Sequence, residues 1–294
     1  MPKTISRLFL TAACMAMALS VQAYTFTKIA DTNTAIPNGT GTFTGLSTAH
    51  ISQSNIVFAA KGSSGQQGFY RWKDSVLTRL VDKNMTAPGF GTTFTNLPDY
   101  DSKFSEVNDF LFTGITAGGQ GLYRWNSFND TVDSLVDTTY NIPGLSEKFK
   151  TLRSLDQVQP PGRTVFVGYS SNFTEGIYFL SGTNITTLIT TNDALPGTSA
   201  TFLGTDNIVL DGAYAAFSPY RSDSSRGVYC YSYASNQIFA IADTNTVVPG
   251  KAIKFTGFTD PPTLHNGTVV FYGSYAGGAG LFSANADGTS LTKL

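Results

Sequence analysis

The chain has 294 residues, of which 41% are hydrophobic, 13% aromatic and only 13% charged, with a formal net charge of −1. Charged residues usually make up about a quarter of a globular chain, and no basic excess is present, which excludes nucleic acid as a partner. With 29 glycines, abundant Ser and Thr and glutamate only at Glu106, Glu147 and Glu175, the composition disfavours helices and favours an all-β protein with a sizeable core.

The first 23 residues read as a secretory signal peptide. Lys3 and Arg7 precede an apolar run over residues 8–21, and Val21-Gln22-Ala23 places small residues where cleavage needs them. Cleavage is expected after Ala23. The run is shorter than the roughly 20 residues of a spanning helix, so the mature chain carries no membrane span. Lipidation at Cys14 is the weaker alternative, because too few apolar residues precede it. The mature chain has 17 Lys and Arg against 20 Asp and Glu and keeps one cysteine, Cys230. An internal disulfide is therefore ruled out, and zinc is disfavoured because Cys230, His50 and His265 lie far apart in sequence.

Residues 24–294 contain five copies of one pattern. A short apolar strand ends in Asp, as in LVDTTYNIPGLSEKF over 135–149, and a turn with proline follows at Pro37, Pro88, Pro143, Pro196 and Pro249. Six residues on stands Phe43, Phe94, Phe149, Phe202 or Phe255. Next come an apolar run through Phe58, Phe112, Phe166, Phe217 or Phe271, and a Gly-apolar-aromatic segment such as Gly121-Leu122-Tyr123. A strand of the LTRLVD type closes each copy. The copies span approximately 24–75, 76–130, 131–184, 185–236 and 237–290.

Each copy predicts four short antiparallel strands separated by turns. The second strands are apolar at consecutive positions, as in Ile56-Val57-Phe58, so both of their faces must be covered. A sandwich would leave one face wet. The pattern predicts a five-bladed β-propeller of four-stranded blades, with a β-solenoid as the alternative. Residues 24–30 resemble a fourth strand and are expected to pair into the last blade and close the ring. Residues 291–294 are then a surplus or the beginning of the same outer strand.

Loops between the fourth and first strands and between the second and third strands should share one end of the molecule. Three groups there are candidates for chemistry. Asp31, Asp82, Asp137 and Asp243 recur at one position and offer oxygen ligands for Ca²⁺ or a polyol. The DTNT and DTTY contexts favour a local role, in which each Asp caps its own turn; no cofactor is expected. Glu147 and Glu175 fall in the third copy, one in each loop type. Paired carboxylates carry glycoside hydrolysis, although two solvated loop glutamates explain them as well. Tyr220, Arg221, Asp223 and Arg226 make the fourth copy's loop the most charged of its set, either a recognition site or a variable surface loop. His50 and His265 are expected in solvated connections, and Cys230 as an inert buried thiol. Asn-x-Thr sequons at Asn38, Asn84, Asn129, Asn172, Asn184 and Asn266 mark surface loops only in a glycosylating host.

IADTNTVVPGKAIKFTGF (241–258), TVVFYGS (268–274) and GGAGLFSA (277–284) resemble a group of exported bacterial tandem-repeat proteins expected to be β-propellers, many with a C-terminal PEP-CTERM or choice-of-anchor segment. The resemblance covers residues 24–294 and brings no activity with it. The chain differs from that group in ending at Leu294 without a hydrophobic anchor, so it is either freely secreted or cut before the anchor. The expectation is a secreted or periplasmic, monomeric binding module for a glycan or cell-surface component. The alternatives are a glycan-active hydrolase or lyase, and a purely structural envelope protein.

Overall fold

The computed structural model describes residues 26–99, 102–104, 109–156, 163–205, 207–259 and 261–294. The expected signal peptide, Tyr24 and Thr25 lie outside the described residues. Every regular element within them is a strand, as the composition predicts.

The first sheet runs β1 (Phe43–Ser52), β2 (Asn55–Gly62), β3 (Gln67–Lys73) and β4 (Val76–Asp82), each antiparallel to the next. The second contains β5 (Phe94–Asn96), β6 (Lys103–Phe104), β7 (Phe110–Thr116), β8 (Gly119–Asn126) and β9 (Thr131–Asp137). Its inner lane is split, because β5 and β6 both pair with β7. The third is regular: β10 (Thr151–Asp156), β11 (Arg163–Tyr169), β12 (Glu175–Ser181) and β13 (Asn184–Thr190). In the fourth region β14 (Phe202–Gly204) and β17 (Tyr220–Arg221) form their own small sheet. Beside it β15 (Ile208–Asp211), β16 (Tyr214–Phe217), β18 (Gly227–Ser232) and β19 (Gln237–Asp243) form a four-stranded one. The fifth sheet holds β20 (Phe255–Phe258), β21 (Thr263–His265), β22 (Thr268–Tyr275), β23 (Gly278–Asn285) and β24 (Thr292–Lys293).

The turn that links sheets follows from its residues. Pro presets the first central position and the next residue needs a positive φ. Gly89, Gly144, Gly197 and Gly250 supply it at φ 73–89°, and Asn38 at φ 53°. An isolated bridge closes the same loop each time, for example Asn141 with Lys148.

Neighbouring sheets join through apolar layers of one design. Leu80 and Val81 of the first sheet meet Phe94, Phe112 and Tyr123 of the second. Val136 of the second meets Phe149, Phe166 and Tyr178 of the third. Leu188 and Ile189 meet Phe202, Phe217 and Tyr229, and Ile241 and Ala242 meet Phe255, Phe271 and Phe282. In each repeat the cassette phenylalanine meets a neighbouring ring edge to face, as Phe149 and Tyr178 do at 5.0 Å and 86°, while the rings of the second and third strands stack, as Phe166 and Tyr178 do at 25°, both favoured geometries. A β-bulge recurs in the outer strands β4, β9, β13 and β19, where the pairing register shifts beside Tyr70, Tyr123, Tyr178 and Tyr229. A bulge turns consecutive residues toward one side, so Leu80-Val81 and its counterparts pack together against the next sheet.

The N-terminal segment differs from expectation. Residues 26–30 form no strand and do not join the fifth sheet. Ile29 and Ala30 instead pack against Phe43, Phe58 and Tyr70 of the first sheet. The outer lane of the fifth sheet belongs to β24, which pairs with Phe282 and Ser283. The bulged outer strand explains the placement: an apolar pair just before Asp31 fits the first sheet as Leu80-Val81 fits the second.

Candidate functional site

The recurring aspartates sit where the outer strands end. Asp137 accepts bonds from Thr139 N at 2.7 Å and Thr139 Oγ1 at 2.6 Å. Asp82 accepts from Asn84 N and pairs with Arg79, both at 2.9 Å. Asp243 accepts from Asn245 N at 2.8 Å and Thr246 Oγ1 at 3.1 Å. Asp31 binds Asn33 N and Thr34 Oγ1 and is held below the usual carboxylate range, mainly by the bond from Lys28. In the fourth region Asp193 serves instead, accepting from Thr190 N at 2.7 Å and Thr190 Oγ1 at 2.8 Å. Each carboxylate thus faces its own turn. Among the described residues no group of three or more His, Cys, Asp or Glu side chains is arranged to hold a metal ion.

The two candidate glutamates have separate partners. Glu147 accepts from Asn172 Nδ2 at 2.7 Å and Ser171 Oγ at 3.4 Å, tying the Pro143 turn to the β11–β12 loop. Glu175 reaches the next sheet, where its Oε1 accepts from Thr205 N at 2.9 Å. Its position is that of Gln67, which donates to Leu97 O at 2.9 Å, and of Gln120, which donates to Leu152 O at 2.8 Å and accepts from Leu152 N at 3.0 Å. Glu175 is therefore one of three polar clasps between consecutive sheets.

The fourth loop divides as well. The Arg221 side chain is 0% exposed; it bonds Asp223 at 2.9 Å, Asp243 at 3.3 Å and Thr198 Oγ1 at 2.7 Å. It is an internal strut that joins two inter-sheet turns. Arg226 stacks on Tyr220, its guanidinium 4.0 Å from the ring centre, and Asp223 is partly exposed. His50 lies in β1, half-buried, with Nε2 3.3 Å from Ser102 Oγ. Burial lowers its pKa, and Lys103 adds to the shift. His265 is exposed and lies in β21, 3.7 Å from Asp211. Cys230 is fully buried in β18, and burial pushes its thiol up to about 12.

A concave polar surface occurs where none was anticipated, in a hollow of about 360 Å³ between the inner strands of the first two sheets. It is lined by the apolar Leu46, Leu97 and Pro98, of which Leu46 is exposed, and by the polar Ser47, Lys61, Asn96 and Asp99. Ser47 Oγ donates to Asp99 at 2.6 Å, which fixes the carboxylate. Lys61 has no ion-pair partner among the described residues. The sequence did hold a signal: the position of Lys61 is Ile115, Tyr169, Tyr220 and Ser274 in the other copies, so only the first carries a cation there.

A family model described as "Family of unknown function (DUF7453)" matches residues 25–289. No curated protein matches the chain. Among solved structures it is similar to TolB from Acinetobacter baumannii, at 12% identity and TM-score 0.42 over 80% of this chain and 50% of that one. It is similar to the β-propeller domain of the Trilobed protease from Pyrococcus furiosus, at 8% identity and TM-score 0.41 over 85% and 84%. An oligogalacturonate lyase in complex with manganese aligns at 12% identity and TM-score 0.50 over 82% and 62%. The chain thus spans about half the length of that TolB and under two thirds of that lyase. The likeness is one of fold, all-β and propeller-like. Among the described residues no helix is long and apolar enough to cross a membrane.

Proposed function

The chain belongs to the DUF7453 family, whose function is unknown, and we propose that it is an exported, non-catalytic β-propeller binding module for glycans. In this reading the five repeats form its blades, the fourth of them built from two sheets, and residues 1–23 direct export. The hollow between the first two sheets is the binding site.

The observation that carries the reading is that apolar and polar side chains line that hollow together. A sugar ring presents an apolar C–H face and a girdle of hydroxyls. The exposed Leu46 suits the first, and Asp99, Asn96 and Lys61 suit the second. A volume of about 360 Å³ falls at the low end of small-ligand sites, roughly 300–1,000 Å³, and suits one or two sugar units. The carboxylates that a glycosidase would use are engaged elsewhere: Glu175 holds Thr205 N, and Glu147 holds the β11–β12 loop. Binding needs no Ca²⁺ in this reading, since the recurring aspartates cap their own turns.

A glycan array probed with the purified chain, with and without Ca²⁺, tests the proposal. Binding to a defined glycan set is expected, unchanged by chelation. Asp99→Asn and Lys61→Met should each weaken it at least tenfold, since a hydrogen bond to a charged group contributes about 1.5–3 kcal/mol. Binding of no glycan, or binding indifferent to both substitutions, would overturn it.

A further inference from the structure

The first and fifth sheets each keep one face outside the apolar layers that join the others. On the first sheet, Phe43, Phe58 and Tyr70 meet Ile29, Ala30 and Ile36, and among the described residues none from another sheet joins that cluster. A second hollow of about 270 Å³ opens there, lined by Ala30, Leu46, Ala49, Ile56 and Phe58. Leu46 is 42% exposed, whereas its counterparts Leu97 and Leu152 are buried. On the fifth sheet, burial alternates along β22 and β23, so that one face looks outward. Leu281 on that face is 52% exposed, at the position where Phe69 is buried in the first sheet. Val270 and Tyr272 beside it are half-buried, where Val57 and Ala59 are buried.

We propose that these two faces are the halves of a head-to-tail contact between copies of this chain. The argument is continuity with an interface already built four times within the molecule. In each internal layer the Val57-Ala59-Phe69 type of face meets the Phe-Phe-Tyr type of the next sheet. The fifth sheet offers an uncovered face of the first type, and the first sheet one of the second.

Two details make the halves fit. Ile29 and Ala30 already occupy on the first sheet the place that Leu80 and Val81 take on the second. Among the described residues the outer lane of the fifth sheet holds the two-residue β24, beside which the partner's Ile29 and Ala30 would pack. The clasp position, Gln67, Gln120 or Glu175 elsewhere, is Ala279 in the fifth sheet. The contact therefore rests on apolar packing without a polar group that must be matched. Because the two faces differ, the contact is heterologous and extends from copy to copy instead of closing as a two-fold dimer.

Sedimentation of the purified chain tests this through one substitution on each face, Leu281→Lys and Ala49→Glu. Both sites are exposed, so melting should be unchanged. The parent chain should associate with rising concentration, and each variant alone should associate at least tenfold more weakly. An equimolar mixture of the two should form a dimer and nothing larger, because each variant keeps one intact half. If either variant fails to fold, Tyr272→Lys or Leu46→Glu replaces it. A parent chain that stays monomeric, a single variant that still associates, or a mixture that does not pair overturns the proposal. So does an intrachain disulfide in Ala49→Cys/Leu281→Cys on a Cys14→Ser background, since the two faces would then meet within one chain.

Discussion

Removing Arg221 should cost far more than its place in a surface loop suggests. Its side chain is fully buried, with Nη1 on Asp243 and Nη2 on both Asp223 and Thr198 Oγ1. In Arg221→Ala, Asp223 rehydrates, because its side chain is 44% exposed. Asp243, at 6%, cannot. Leaving one buried charge uncompensated typically costs 3–5 kcal/mol. Asp243 retains the donors Asn245 N and Thr246 Oγ1, which places the loss near the lower bound, about 3 kcal/mol. For a chain of this size each kcal/mol lowers the melting temperature by about 2–4 °C, so a fall of about 6–12 °C is expected. The double variant Arg221→Ala/Asp243→Asn removes the orphaned charge and should recover about half of the loss. Thermal and urea denaturation of the parent, both single variants and the double variant measure this as a cycle. A loss under about 1 kcal/mol, or a double variant no more stable than Arg221→Ala, would refute the strut.

Three further outcomes follow from the same packing. Glu175→Gln should leave stability within about 1 kcal/mol of the parent, because Gln67 and Gln120 already hold the equivalent clasp; Glu175→Ala should lose about 1–3 kcal/mol by stranding Thr205 N, and equal losses in urea melts would count against the clasp. Gly176→Ala would place a Cβ 2.5 Å from the Tyr178 hydroxyl, an overpacking that costs about 1–3 kcal/mol; an unchanged melting temperature would contradict it. Burial is the main cause that pushes the phenols of Tyr70, Tyr178 and Tyr229 up to about 12, against about 10 in an unfolded chain. Below pH 10 both states keep these protons and nothing changes. Between pH 10 and about 12 the unfolded state alone releases them, so stability falls by about 1.4 kcal/mol per pH unit for each tyrosine. Phenolate absorbance that rises for all tyrosines while the chain is still folded would disprove the burial effect.

The features legible in the sequence are those whose cause is local. Pro143-Gly144 announces its turn because Pro supplies a fixed φ and Gly readily takes the positive one that follows, and Gly144 indeed stands at φ 79°. Phe149, Phe166 and Tyr178 announce one buried aromatic set through their constant spacing. The bulge beside Tyr178 was not legible, because a bulge changes which residues pair and leaves the composition unaltered. Its consequence, an apolar pair at Leu188-Ile189, looked like an ordinary strand end. The same blindness affected the N-terminal segment. Lys28-Ile29-Ala30-Asp31 matches an outer strand, so pairing into the fifth sheet was expected, yet what the match encodes is the apolar pair that the first sheet accepts.

The candidate site was obscured for a related reason. Charge conspicuous in sequence drew attention to Glu175 and Arg221, but Glu175 is taken up by the next sheet and Arg221 by the carboxylates and turns of its own region. The copies themselves separate the cases. Glu175 replaces a glutamine with another clasp of the same length, so its departure preserves a contact between sheets. Lys61 replaces apolar, aromatic or hydroxyl residues with a cation in the lining of a hollow, so its departure serves no contact among the described residues. A substitution that preserves a structural bond explains itself through stability, whereas one that places an unpaired charge beside a concave surface calls for a ligand. The first sheet shows this on both of its sides. Leu46 and Ser47 of β1 line the polar hollow and border the uncovered apolar face as well. Ligand binding and association between copies are therefore separated only by substitutions away from that strand, which makes Leu281→Lys the decisive control: it should abolish association and leave glycan binding intact.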